Sequence, residues 1–207
     1  LRLPPGARVG VPAWTFVASA SSIVNAGGVP VLLDVEPDTL NLSPRAAEAA
    51  IDSGIEALVL VHFGGAPVDG EILRLAGDAG IPIVEDAAHA LGTIDDRGQM
   101  SGAGTVAACF SFYATKNLTS AEGGALATHD PAVARFARSQ RLHGLSNEAW
   151  DRYRVGGRAD VEHLAIAHQH QYSARCGANL EQLGVDARYG DRGRVGSFVT
   201  AAAVKLG

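Results

Sequence analysis

Cysteine is scarce: only Cys109 and Cys176 occur in 207 residues. Two cysteines cannot build a disulfide framework, and their spacing fits no zinc pattern. Cys109 lies in an apolar run and is expected to be a small core residue. No apolar run reaches the roughly 18 residues that mark a membrane-spanning helix, so no membrane partner is expected. The opening Leu1-Arg2-Leu3-Pro4-Pro5-Gly6 does not resemble a secretory signal. Cytoplasmic location is the default these absences leave. Basic blocks are missing too. The richest, Arg152 to Arg158, is short, is mixed with Asp151 and glycine, and reads as a solvated loop. With a net charge of -5, no nucleic-acid partner is expected. There is no dinucleotide fingerprint, no GxSxG elbow and no zinc-protease motif. Ser101 to Thr105 (SGAGT) lacks the Lys-Ser/Thr of a phosphate loop. The histidines His163, His168 and His170 have no Cys or acid at ligand spacing, so no metal site is expected.

Hydrophobic residues make up 47% of the chain and charged residues 19%, a composition that folds. The length suits one domain with a real core. Through the first two thirds, short apolar runs alternate with helical patterns. Strands are expected to end at Gly10–Pro12 and to cover 30–35, 57–62, 81–85, 106–112 and 124–128. Helices are expected over 17–26, with Thr15 or Ser19 near the start, and from Pro44, after Ser43, to about Asp52. Two more are expected over 68–79, ended by Gly80, and from Asp130-Pro131 to about Leu142. This β-then-α rhythm predicts an α/β fold of three layers, a mostly parallel sheet flanked by helices. Such sheets gather chemistry beyond the carboxyl ends of their strands. His62, Asp86 and Ser111 all fall there. The pattern weakens after about Gly156, and 193–207 fits a helix or a loose tail.

Three segments carry candidate chemistry. In Val84-Glu85-Asp86-Ala87-Ala88-His89-Ala90 a carboxylate follows a buried strand. Asp86 fits a helix N-cap, or a carboxylate that stays charged beside a ring nitrogen. In Phe110-Ser111-Phe112-Tyr113-Ala114-Thr115-Lys116-Asn117 a lysine follows a strand among hydroxyls and small residues. Lys116 fits a surface lysine, or a partly desolvated amine that attacks a carbonyl. Ala121-Glu122-Gly123-Gly124 is a turn that lets backbones approach closely.

Six stretches together resemble the sugar-nucleotide aminotransferases of the fold-type-I pyridoxal-phosphate class (DegT/DnrJ/StrS type). They are PAWTFVAS (12–19), PVLLDVEPDTLNLSP (30–44), VHFGGAPVD (61–69), VEDAAHALGT (84–93), CFSFYATKNLTSAEGG (109–124) and QRLHGL (140–145). The resemblance covers about residues 5 to 155. HFGGAPVD, EDAAHALGT and TKNLTSAEGG look most like the branch that aminates UDP-4-keto-L-arabinose. That branch makes the aminoarabinose added to lipid A, which protects bacteria from cationic peptides. The resemblance implies pyridoxal 5'-phosphate as cofactor, glutamate as amino donor, a keto-sugar nucleotide as acceptor and a homodimer. It implies that Lys116 forms the Schiff base with the cofactor aldehyde and then moves the proton. Asp86 would pair with the pyridine nitrogen. Phe16 would stack on one ring face and Ala88 support the other. His89 would lie near the phenolic oxygen, and Ser111 would donate to the phosphate. His62 and Trp14 are expected to be structural.

The pattern also departs from the family. Relatives are nearly twice this length. A phosphate-gripping turn before residue 1 and a C-terminal small domain are expected outside these residues. Residues 1–155 would be a partial cofactor-binding large domain, and 156–207 an atypical tail. Where relatives carry a Tyr-Lys-Tyr-Asn-like stretch, this chain reads EHLAIAHQHQYSARCGANLEQLG (162–184). A frameshifted or truncated reading frame would produce this, and so would an unusual homologue. Two other readings stay open: an inactive or regulatory fragment of the same fold, and a pyridoxal-phosphate-dependent sugar dehydratase. Dehydratases replace the lysine with histidine, and Lys116 argues against that reading.

Overall fold

The computed structural model describes residues 1, 3–141 and the strand backbone at 197–199. The chain divides into two units, Leu1–Phe110 and Ser111–Gly207. The strands of the first unit are β1 (Arg8–Pro12), β2 (Val29–Leu33), β3 (Ala57–Val61), β4 (Ile83–Asp86) and β5 (Ala107–Ser111, whose last residue opens the second unit). Its helices are α1 (Val17–Asn25), α2 (Pro44–Asp52) and α3 (Gly70–Asp78). The strands lie side by side in the order β2-β1-β3-β4-β5, and each neighbouring pair is parallel.

Side-chain alternation builds the layers. Val9 and Val11 of β1 and Ala57 of β3 bury against Ile23 of α1. Leu33, Leu58 and Leu60 turn to the opposite face, onto Ala47 and Ala50 of α2 and Ile72 and Ala76 of α3. The result is the expected three-layer, mostly parallel α/β architecture. The helices of this unit are nine residues long, too short to hold in water alone. Full burial of Leu58, Leu60 and Ile72 contributes about 2 kcal/mol each. Packing, not propensity, holds these helices.

Element ends shifted from expectation for identifiable reasons. α3 starts at Gly70, two residues late. Asp69 caps it by accepting from the Glu71 N–H at 2.8 Å, while the Val68 N–H donates to His62 Nδ1 at 3.3 Å. β2 stops at Leu33, and Val35 instead bridges Leu42 across the following turn. Neither Thr15 nor Ser43 caps a helix with its side chain. Thr15 bonds Ser19 instead.

In the second unit, β6 (Gly124–Thr128) leads to α4 (Pro131–Gln140). Asp130 caps α4 by accepting from the Ala132 N–H at 2.7 Å, with Pro131 in the first turn. β7 (Ser197–Val199) pairs antiparallel with β6. Within 193–207, a strand therefore stands at 197–199, where a helix or a loose tail was expected. The expectations for Arg152–Arg158, the histidines 163–170 and the rest of the tail lie outside the described residues. Among the described residues, no helix is long and apolar enough to cross a membrane.

Candidate functional site

Asp86 is the last residue of β4 and is half-buried. Residues 87–90 form a turn, closed by Ala90 N–H to Ala87 O at 2.9 Å. Asp86 is therefore no helix cap, contrary to one of its two sequence readings. Its Oδ1 accepts from the Ala88 N–H at 3.1 Å. Its Oδ2 accepts from the Ser19 hydroxyl at 2.7 Å. Ala88 is half-buried in this turn and His89 is exposed. The neighbouring turn, Phe63–Gly65, comes so close that a Cβ on Gly65 would sit 2.7 Å from His89 O. Gly65 also has φ +88, a conformation that other residues rarely adopt. Phe16 stands at the N-cap of α1 with 76% of its surface exposed. That is a large aromatic face with no core role.

The Phe63–Gly65 turn and the segment after it are held from three sides. Buried Asn41 accepts from the Phe63 N–H at 2.9 Å and donates to Pro67 O at 3.0 Å. Thr93 donates to Gly65 O at 2.8 Å. Buried His62 lies 2.8 Å from Glu85 through Nε2. Because the Val68 N–H donates to Nδ1, the His62 proton sits on Nε2 and points at Glu85. Glu85 also accepts from the Gly102 N–H and the Thr105 hydroxyl, at 2.8 and 2.7 Å. His62 is thus structural, as expected. Trp14 is 54% exposed and meets Phe63 at a tilted 6.4 Å.

Cys109 corrects an expectation. Its side chain is exposed rather than in the core. Strand register pairs it with Asp86, and helix α1 packs over β1 and β2. Solvent reaches one side of the thiol. The chain around it still pushes the thiol up to about 11 by desolvation, aided by the Asp86 and Glu85 charges. From the sequence, Thr15 and Ser19 were expected only as helix-start residues, and Asn41 and Glu85 were given no role at the site. The available signals were a serine four residues before Ile23 on the buried face of α1, and a glutamate inside a buried strand.

In the second unit, the loop after Ser111 folds back on itself. The Phe112 N–H donates to Gly123 O at 2.8 Å, and Phe112 O accepts from the Ser120 N–H at 2.9 Å. The Thr119 hydroxyl adds a bond to Phe112 O at 3.1 Å. Ala121 takes a φ of 68, the strained left-handed region for alanine. A Cβ on Gly123 would meet Ser120 Oγ at 2.7 Å. Lys116 is half-buried in this loop, its N–H donating to Tyr113 O at 3.0 Å. The Ser111 oxygen accepts from the Tyr113 N–H at 3.3 Å, so its own proton remains a donor. Among the described residues, no cluster of three or more His, Cys, Asp or Glu is placed to hold a metal ion.

Residues 1–169 match the DegT/DnrJ/EryC1/StrS aminotransferase family. The chain belongs to this family. Solved family structures agree. The aminotransferase TlmJ from Streptoalloteichus hindustanus is 30% identical, with a TM-score of 0.69 over 79% of this chain and 43% of its own. DesV of S. venezuelae, solved with a ketimine intermediate, is 41% identical, with a TM-score of 0.63 over 69% and 38%. DesI, solved with its TDP-sugar product, is 36% identical, with a TM-score of 0.60 over 67% and 36%. The chain spans less than half the length of these family members. Five of the six stretches that carried the sequence resemblance fall within the described residues. The sixth, QRLHGL, lies largely outside them.

Proposed function

We propose that the protein is a pyridoxal-phosphate-dependent transaminase that moves an amino group from glutamate to a keto-sugar nucleotide, and that it works as a homodimer. The observation that carries this reading is the Asp86 carboxylate at the carboxyl edge of the parallel sheet. Each of its oxygens holds one protein donor, and each keeps room for another. That fits the partner of a protonated ring nitrogen. The TDP-sugar product of DesI supports a sugar-nucleotide acceptor. UDP-4-keto-L-arabinose is the acceptor we favour, from the wording of HFGGAPVD, EDAAHALGT and TKNLTSAEGG.

When bound, the cofactor supplies a carbonyl that takes up the amino group and a ring that draws electrons from the reacting carbon. The chain's residues do the rest. Asp86 holds the proton on the ring nitrogen. Phe16 and Ala88 would flank the ring, and His89 would face its phenolic oxygen. In the second unit, the Ser111 hydroxyl would donate to the phosphate. Lys116 Nζ would hold the cofactor covalently and, once displaced by the donor amine, carry a proton from the donor's α-carbon.

The test adds L-glutamate to protein loaded with pyridoxal phosphate and measures 2-oxoglutarate. One equivalent per bound cofactor is expected in the absence of any acceptor. Loaded protein that forms none would rule out the transaminase reading. Regeneration by UDP-4-keto-L-arabinose, and not by a TDP-4-keto sugar, would confirm the narrower choice.

A further inference from the structure

Ser19 occupies an odd place. It lies on the face of α1 that turns to the sheet, one helical turn before Ile23, and is 5% exposed. Buried helix positions of this kind favour apolar side chains, and a hydroxyl there needs a partner. The partner is Asp86. Ser19 Oγ lies 2.7 Å from Asp86 Oδ2, and a carboxylate can only accept, so the serine proton points at Asp86. Ser19 has no second hydroxyl proton. The 2.8 Å contact with Thr15 Oγ1 must therefore run the other way, from Thr15 into Ser19. Three groups line up in one direction, Thr15 to Ser19 to Asp86. The other Asp86 oxygen is held by the Ala88 N–H at 3.1 Å.

Two donors from different elements, one on each oxygen, fix how the carboxylate is turned about its Cβ–Cγ bond. With Ala88 alone, that rotation is constrained at one oxygen only. We propose that Ser19, backed by Thr15, is a positioning residue that aims the free lone pairs of Asp86 at a ring nitrogen carrying a proton. This rests on the cofactor reading above, and it assigns a role to a residue that does not itself touch the ring.

The decisive experiment compares two ligands on three proteins. Pyridoxal phosphate has the ring nitrogen; its 1-deaza analogue has carbon there and offers Asp86 nothing. Dissociation constants are measured by equilibrium dialysis for wild type, Ser19→Ala and Ser19→Thr. Ser19→Ala is expected to weaken pyridoxal phosphate about tenfold, the loss of one hydrogen bond to a charged group, and to leave the deaza analogue within about twofold. Ser19→Thr, which keeps the hydroxyl, is expected to restore the pyridoxal phosphate value. Equal weakening of both ligands would mean a merely structural serine and overturn the proposal. No weakening of either would overturn it as well. A wild-type protein that binds neither ligand overturns the cofactor reading itself, and the role of Ser19 with it.

Discussion

Asp86→Asn is expected to slow release of 2-oxoglutarate from glutamate on the order of 10³-fold, the scale seen when one preorganised electrostatic contact is lost from a site. The amide keeps the shape of the carboxylate. Its oxygen can still accept from Ser19 or from the Ala88 N–H, the two donors that hold Asp86 now. What it loses is the charge that keeps a ring nitrogen protonated, and with it the electron-drawing power of the ring. The thermal midpoint should move little, because Asp86 is only half-buried. Single-turnover assays with glutamate check the rate, and calorimetry checks the fold. A rate within tenfold of wild type would remove Asp86 from the chemistry.

Glu85, one residue earlier, should behave in the opposite way. Glu85→Ala is expected to destabilise the fold by about 3–5 kcal/mol, the range for breaking a buried charged network by removing one partner. Glu85 is 3% exposed and His62 5%. Removing the carboxylate strands two buried donors, His62 Nε2–H and the Gly102 N–H, together with the half-buried Thr105 hydroxyl. It also frees the 102–105 backbone that leads into β5. Urea unfolding monitored by circular dichroism measures the loss. Glu71→Ala serves as the control, since its pair with Arg74 is exposed on both sides, and no shift in the midpoint is expected. A Glu85→Ala loss under about 1 kcal/mol would contradict the role given to this network.

Adjacent residues with such different duties explain what the sequence could and could not reveal. Alternation along β4 sends Glu85 to the α2 and α3 face and Asp86 to the α1 face. A period-two pattern marks both as strand residues, yet carries nothing about which partners wait on each side. The layers were legible because short apolar strand runs such as 57–62 alternate with helical patterns along the chain, a rhythm that specifies a parallel sheet covered by helices. Helix α3 starts later than expected because Asp69 caps it while the Val68 N–H turns to a tertiary partner, His62. Cys109 was misread for a related reason. An apolar run predicts a strand, not whether a helix covers each position of it. The roles proposed for Asp86 and Lys116 rest on motif resemblance; their local sequence alone left a helix cap and a surface lysine open. Ser19 was read only as a helix-start residue, since its partner lies 67 positions away.

The most direct test of the cofactor assignment benefits from an accident of composition. Lys116 and Lys205 are the only lysines in the chain. The full chain is incubated with pyridoxal phosphate, reduced with borohydride, digested and mapped by mass spectrometry. The account predicts one pyridoxyl group per chain, carried on the peptide that contains Lys116, and its disappearance in Lys116→Ala. Label found on Lys205 or the terminal amine with Lys116 unmodified, or label that persists in Lys116→Ala, would contradict it.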